Sequence, residues 1–266
     1  MEATDVQFAG SIPEFYDRCL GPFLFDPYAD DLAARARPLH PGRILETAAG
    51  TGIVTAALAR ALPEAEIVAT DLNPDMLRVA ATKPDTNRVT FAPADAQALP
   101  FPEAAFDLVV CQFGAMFFPD RIAAYREARR VLRPGGAFLF NVWDRLEANP
   151  ASQAVAEAVA ALFPGDPPSF LSRIPFGYHD RAAVDADLRA AGFANVDSET
   201  VPKRSRGDAR ALAPGLCQGS PLRAEIEARA PERLEEATAA ALSALVRLHG
   251  DPVDAAMSAH VFTARP

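Results

Sequence analysis

Lysine is nearly missing from this chain: Lys83 and Lys203 are the lysines among 26 basic residues. Set against 35 Asp and Glu, the basic residues leave a formal charge of −9 at pH 7. A surface of that sign repels phosphate backbones, so nucleic acid is not an expected partner. The basic run from Lys203 to Arg206 is too short to reverse this. Cysteine is scarce too. Cys19, Cys111 and Cys217 are odd in number and too far apart for redox or zinc-ligand spacing, which excludes a disulfide framework; no metal site is expected. No apolar run approaches the ~18 residues of a membrane span. The first residues carry Glu2 and Asp5 and lack the basic-then-apolar order of a secretion signal, so the expected location is cytoplasmic. What is present is ordinary. Half of the 266 residues are hydrophobic and 23% are charged, the balance of a folded globular protein. The length suits one large domain, or one domain with an appended cap.

Residues 1–25 read as irregular and aromatic-rich, and Asp26-Pro27 predicts a helix start with Asp26 as its cap. Short apolar strands then alternate with helices. Arg43–Glu46 and Ile67–Asp71 predict strands; Val54 to Leu62 recurs at helical spacing and stops at Pro63. Asn73-Pro74 predicts a capped helix, Val89–Ala92 a third strand and Phe106–Cys111 a fourth. A helix after Pro119-Asp120 ends at the turn Arg133-Pro134-Gly135-Gly136, and Ala137–Trp143 is a fifth strand. This alternation predicts an α/β fold, a doubly wound and mostly parallel sheet. After about residue 150 the rhythm changes. Helices over 152–163, after Asp180 and over 208–250 are interleaved with strands at 195–201 and 257–263. Leu234, Thr238, Ala241, Leu245 and Leu248 predict the buried face of the last helix. The expected organisation is an N-terminal helical or irregular segment (1–39), a ligand-binding core (40–145), and the remaining strands with an inserted helical cap (146–266).

In an open α/β sheet the ligand sits beyond the carboxyl ends of the strands, beside the first strand-to-helix turn. Here that turn is Glu46-Thr47-Ala48-Ala49-Gly50-Thr51-Gly52. It holds no lysine for a nucleoside triphosphate. The dinucleotide fingerprint fails because Thr55 stands where the third glycine would be. Glu46 would sit badly beside a pyrophosphate but well beside a cation, and S-adenosylmethionine carries an ammonium and a sulfonium. Asp71, ending the second strand, can accept from both ribose hydroxyls, a feature that nicotinamide enzymes share. Asp95 can take the adenine amino group while the Ala96 amide serves a ring nitrogen.

The ordered set ILETAAGTG, TDLNPDML, ADAQALPF, FDLVVCQF and RRVLRPGG resembles the class I S-adenosylmethionine-dependent methyltransferases, and most closely the branch that includes the ubiquinone and menaquinone C-methyltransferases. The resemblance covers about residues 40–143 and implies a Rossmann-like methyltransferase fold. It implies a cofactor site of Glu46, Ala48, Gly50, Thr51 and Gly52 for the methionine moiety and loop, Asp71 for the ribose, and Leu72 and Met76 against the adenosine. Asp95 and Ala96 would then hold the adenine edge, with Cys111 and Phe113 as the floor and Tyr16 closing over the top. The family usually has glycine where this chain has Ala48.

The expected function is methyl transfer to a small, apolar or aromatic acceptor. Two alternatives stay open: a catalytically silent cofactor-binding protein, and a nicotinamide-dependent oxidoreductase. No general base is named, because His40, His179, His249 and His260 are each more often structural than catalytic. The segments after the core are expected to form a lid carrying Phe163, Phe170, Phe176 and Tyr178, with His179 and His249 as its polar groups.

Overall fold

The computed structural model describes residues 12–266. Its helices are α1 (Ile12–Leu20), α2 (Asp26–Ala36), α3 (Ile53–Ala61), α4 (Pro74–Ala80), α5 (Arg121–Val131), α6 (Pro150–Ala160), α7 (Phe170–Arg173), α8 (Arg181–Ala190), α9 (Ala209–Gln218), α10 (Leu222–Arg229) and α11 (Leu234–His249). Its strands are β1 (Arg43–Glu46), β2 (Glu66–Asp71), β3 (Thr90–Pro93), β4 (Phe106–Gln112), β5 (Leu132–Trp143), β6 (Asn195–Gly207) and β7 (Val253–Arg265). They form one seven-stranded sheet in the order β3-β2-β1-β4-β5-β7-β6. The strands from β3 to β5 are parallel, whereas β7 runs antiparallel to both β5 and β6. The fold is the Rossmann-like, mostly parallel arrangement, with added helices after β5 and between β6 and β7.

β1 and β4 are apolar throughout their middles because they run in the centre of the sheet with both faces covered: Ile44, Leu45, Leu108, Val109 and Val110 are fully buried. Asn73 caps α4 by accepting from the Asp75 amide at 2.9 Å, as its sequence position suggests. Asp120 and Asp180 do the same for α5 and α8.

Three local expectations need correction. Within the described part of the N-terminal segment the chain is helical, not irregular, and Asp26 does not cap α2. A π-helical turn, Gly21–Phe25, joins α1 to α2, and the Asp26 amide donates back to the Gly21 carbonyl. The wider turn lets the consecutive residues Phe23, Leu24 and Phe25 all bury, which an ordinary helical face does not allow. Second, Arg133-Pro134-Gly135-Gly136 is carried within β5. The pairing with β4 slips from Phe106–Leu132 to Leu108–Ala137, and Gly135 takes a φ of +83° in the bulge. Third, α11 buries Ala237, Ala241, Ala244 and Leu245, while Leu248 is 56% exposed. The helix packs on α6 and α9, and small alanines permit that close approach.

The basic run Lys203–Arg206 lies in β6. Lys203 faces Asp31 at 3.4 Å and Arg204 pairs with Asp254 at 2.6 Å, so acidic partners already occupy it. Among the described residues no helix is long and apolar enough to cross a membrane.

Candidate active site

The carboxyl ends of β1 to β4 open onto a cavity of about 490 Å³. Glu46, Asp71 and Asp95 line it, and no Lys, Arg or His does among the described residues. Such a cavity repels phosphate and favours a cation.

Glu46 ends β1 and is 1% exposed. Its Oε2 accepts from the Thr55 hydroxyl at 2.6 Å. Burial pushes its pKa up to about 8; the Thr55 bond pulls it down and the nearby Asp71 adds to the rise. The loop after it turns back by repeated left-handed steps, with φ of +51° at Ala48, +55° at Gly50 and +77° at Gly52. A left-handed alanine costs ~1 kcal/mol. The Ala48 methyl is accommodated opposite Gly114, where any Cβ would lie 2.5 Å from it. At Gly50 a Cβ would meet nothing within 4 Å, so the backbone there borders open cavity; at Gly52 it would meet Ala80 at 2.7 Å. Gly50 and Gly52 thus serve different ends: access to the cavity and close packing on α4.

Asp71 ends β2. Its Oδ2 accepts from the Gly50 amide at 2.8 Å and its Oδ1 from the Asn73 amide at 2.8 Å. Burial raises its pKa, and those two bonds oppose the rise. The carboxylate therefore fixes the glycine loop as well as lining the cavity. Leu72, 65% exposed, and Met76, 5% exposed, supply apolar surface beside it. Asp95 accepts from the Gln97 amide at 2.8 Å, and Gln97 in turn accepts from the Asp120 amide at 2.9 Å, so this corner is held by the start of α5. Ala96 lines the same corner.

Tyr16 reaches the cavity from α1 and stacks on Phe25 with centroids 5.1 Å apart. Burial, then the charges of Asp71 and Asp17, raise its pKa. The next residue, Asp17, ties α1 down by accepting from the Thr51 hydroxyl at 2.6 Å and pairing with Lys83 at 2.7 Å. Phe113 adopts a φ of +51° and stacks face to face on Trp143 at 3.8 Å.

All the cofactor residues expected from the sequence border this cavity except Gly52 and Cys111. Cys111 is fully buried, with its thiol pushed up to about 12 by burial. Its thiol lies against Thr47 and Gly114, beneath the floor, and Gln112, Phe113 and Gly114 form the floor itself. Gln112 and Phe117 are lining residues that the motif reading did not single out as cofactor contacts.

A second, smaller cavity of about 50 Å³ continues past Tyr16, Phe25, Phe113 and Phe117, which line both. Phe170 and Phe176 line it, as expected of a lid. Phe163 and Tyr178 do not: Phe163 packs under Arg233, and Tyr178 donates to Asp187 at 2.7 Å beneath Arg121. His179 is exposed and bonded to the Phe176 carbonyl at 2.8 Å, His40 is exposed, and His260 pairs with Asp144 at 3.2 Å; neither these nor His249 lines either cavity.

Residues 45–140 match the family model of the methyltransferase domain. Over that segment the chain is similar to a methyltransferase domain. A demethylmenaquinone methyltransferase of Deinococcus radiodurans is 37% identical over 133 residues, which cover 49% of this chain and 53% of that protein. A malonyl-[acyl-carrier protein] O-methyltransferase of Halorhodospira halophila is 41% identical over 115 residues, 42% of this chain and 39% of that protein. The chain thus spans about half the length, or less, of these curated relatives. The crystal structure of the YcgJ protein from Bacillus subtilis has the same fold, with a TM-score of 0.57 at 20% identity, covering 89% of this chain and 99% of that one. The family match falls on residues 45–140, and the helices that close the second cavity lie outside the matched segment.

Proposed function

We propose that this protein is an S-adenosylmethionine-dependent methyltransferase that acts on a small, apolar or aromatic acceptor by in-line transfer. The observation that carries this reading is the cavity at the ends of β1 to β3, where Glu46, Asp71 and Asp95 meet a glycine loop with no cationic side chain. The residues present fit the cofactor. Glu46 and the Gly50 loop would take the amino-acid end, Asp71 the ribose diol, and Leu72, Met76, Asp95 and Ala96 the adenine. The sulfonium supplies an already activated methyl group. What remains for the chain is to align the acceptor and exclude water, which can remove ~7–11 kcal/mol from the barrier. Tyr16, Phe25, Phe113 and Phe117, shared by the two cavities, surround the place where donor and acceptor would meet. Trp143, Phe170 and Phe176 line the small apolar space beyond them, which suits the apolar end of an acceptor rather than the whole of one. The curated relatives bear names of both quinone and O-methyl transfer, so the acceptor class here rests on the cavity and not on them.

The test is direct. Calorimetry should show binding of S-adenosylmethionine and S-adenosylhomocysteine but not NADH. Incubation with labelled S-adenosylmethionine and a metabolite extract should then label a small apolar product. Binding of NADH alone would overturn the cofactor assignment. Cofactor binding with no labelled product from any extract would favour a cofactor-binding protein without transferase activity.

A further inference from the structure

The geometry points to Gln112 as the residue that selects an acceptor bearing an O–H or N–H group, through its amide oxygen. This rests on the methyltransferase reading above.

Gln112 is the last residue of β4 and lines the large cavity. Its Nε2 donates to the Phe25 carbonyl at 3.0 Å. A carbonyl can only accept, so this bond fixes which end of the amide faces Phe25. The other end, Oε1, is buried and has no hydrogen-bond partner among the described residues. A buried acceptor without a donor is costly, so a ligand that brings a donor gains more than one that does not.

The order of the strands says which ligand. The cofactor candidates Asp95, Asp71 and Glu46 follow or end β3, β2 and β1, three neighbours in sheet order. β4 is the next strand, one spacing of about 4.8 Å further on, toward β5 and the second cavity. Gln112 therefore stands beyond the amino-acid end of the cofactor site, on the side where Phe113 and Trp143 stack. Phe25, which holds its amide, lines both cavities. A heteroatom donor on an apolar body fits this junction: the apolar part against Phe25, Phe113 and Phe117, the O–H or N–H on Oε1. The amide takes no proton; it positions the group.

The experiment uses the full-length protein saturated with S-adenosylhomocysteine and two probes, 2-naphthol and 2-methoxynaphthalene, which differ in the donor hydrogen. In calorimetric titrations the native protein should prefer naphthol by about tenfold or more, since a site built to accept a donor rejects the analogue that lacks it. Gln112→Leu, compared at saturating S-adenosylhomocysteine, should reduce that preference to about threefold or less. Gln112→Glu, whose neutral carboxyl can donate to Phe25 and still offer an oxygen, should retain the preference below the carboxyl pKa. The proposal is overturned if the native protein does not discriminate, or if Gln112→Leu discriminates as before. It is also overturned if Gln112→Leu loses cofactor affinity with the preference intact, which would assign the oxygen to the cofactor's ammonium. Absence of S-adenosylhomocysteine binding in the native protein would instead sink the methyltransferase reading.

Discussion

Glu46 shows how much one buried carboxylate decides. Near pH 7 in the ligand-free protein it holds a proton, because its pKa is lifted to about 8 by burial. A cation bound beside it favours the ionised form and lowers that pKa, so binding expels the proton. Affinity should therefore rise with pH, by up to about tenfold per unit, and flatten above about 8. Calorimetry between pH 6 and 9 in buffers of different ionisation enthalpy measures this, with Glu46→Gln as the control that retains only the ligand's own titration. The same substitution should stabilise the ligand-free protein at pH 9, where Glu46 is charged and buried. Asp71 carries two loads. Asp71→Ala should weaken cofactor binding by ~2–3 kcal/mol, the worth of hydrogen bonds to a charged group. It should also lower the melting temperature, because the Gly50 and Asn73 amides lose their acceptor. That the carboxylate also ties down its own glycine loop follows only once β1 and β2 are in register.

At the scale of elements, several short helices wall the second cavity, and the aromatic residues expected in a lid divide into two groups. Phe170, on α7, lines the second cavity, whereas Tyr178 packs with Tyr125 and Asp187 between α5 and α8. Phe170→Leu should lower kcat/KM for the true acceptor while cofactor affinity stays within about threefold, a difference of ~0.7 kcal/mol. Tyr178→Phe should do the reverse, costing about 1 kcal/mol of stability by denaturant melt and leaving acceptor turnover alone. Equal loss of turnover in both variants would mean that the division is wrong. Phe163, Phe170, Phe176 and Tyr178 look alike in the sequence. Which of them borders a cavity depends on the packing of α7, α9 and α10, set by contacts between residues far apart in the chain.

For the molecule as a whole, the segment 40–145 holds every expected cofactor residue except Tyr16, but not a closed core. Phe140 in β5 stacks on Phe262 of β7 at 5.1 Å, and Phe138 on Phe193 at 6.0 Å. α2 packs on α3 and brings the buried Tyr28 and Leu32. A fragment of residues 40–145 should therefore show no cooperative thermal transition by circular dichroism, while the full chain does. A sharp transition in the fragment would establish it as an independent domain and the flanking segments as appendages.

Alternation of short apolar strands with helices was enough to determine the sheet class, because periodicity and caps are local properties: Asn73, Asp120 and Asp180 cap the helices their positions imply. That Glu46, Asp71 and Asp95 share one cavity was equally legible, since a cleft at the ends of parallel strands is lined by residues at the ends of those strands. The parity of β4 was not. Whether Cys111 or Gln112 faces the cavity is a one-residue shift along the strand, and both faces of β4 are buried, so no polar alternation marks the difference. Nor was the buried face of α11, where Leu248 and Ala244 exchange places, because small residues win wherever two helices must approach closely. Those choices belong to the tertiary structure: they are made by neighbours distant in sequence, whose volumes and polar groups must be satisfied together in one packed interior.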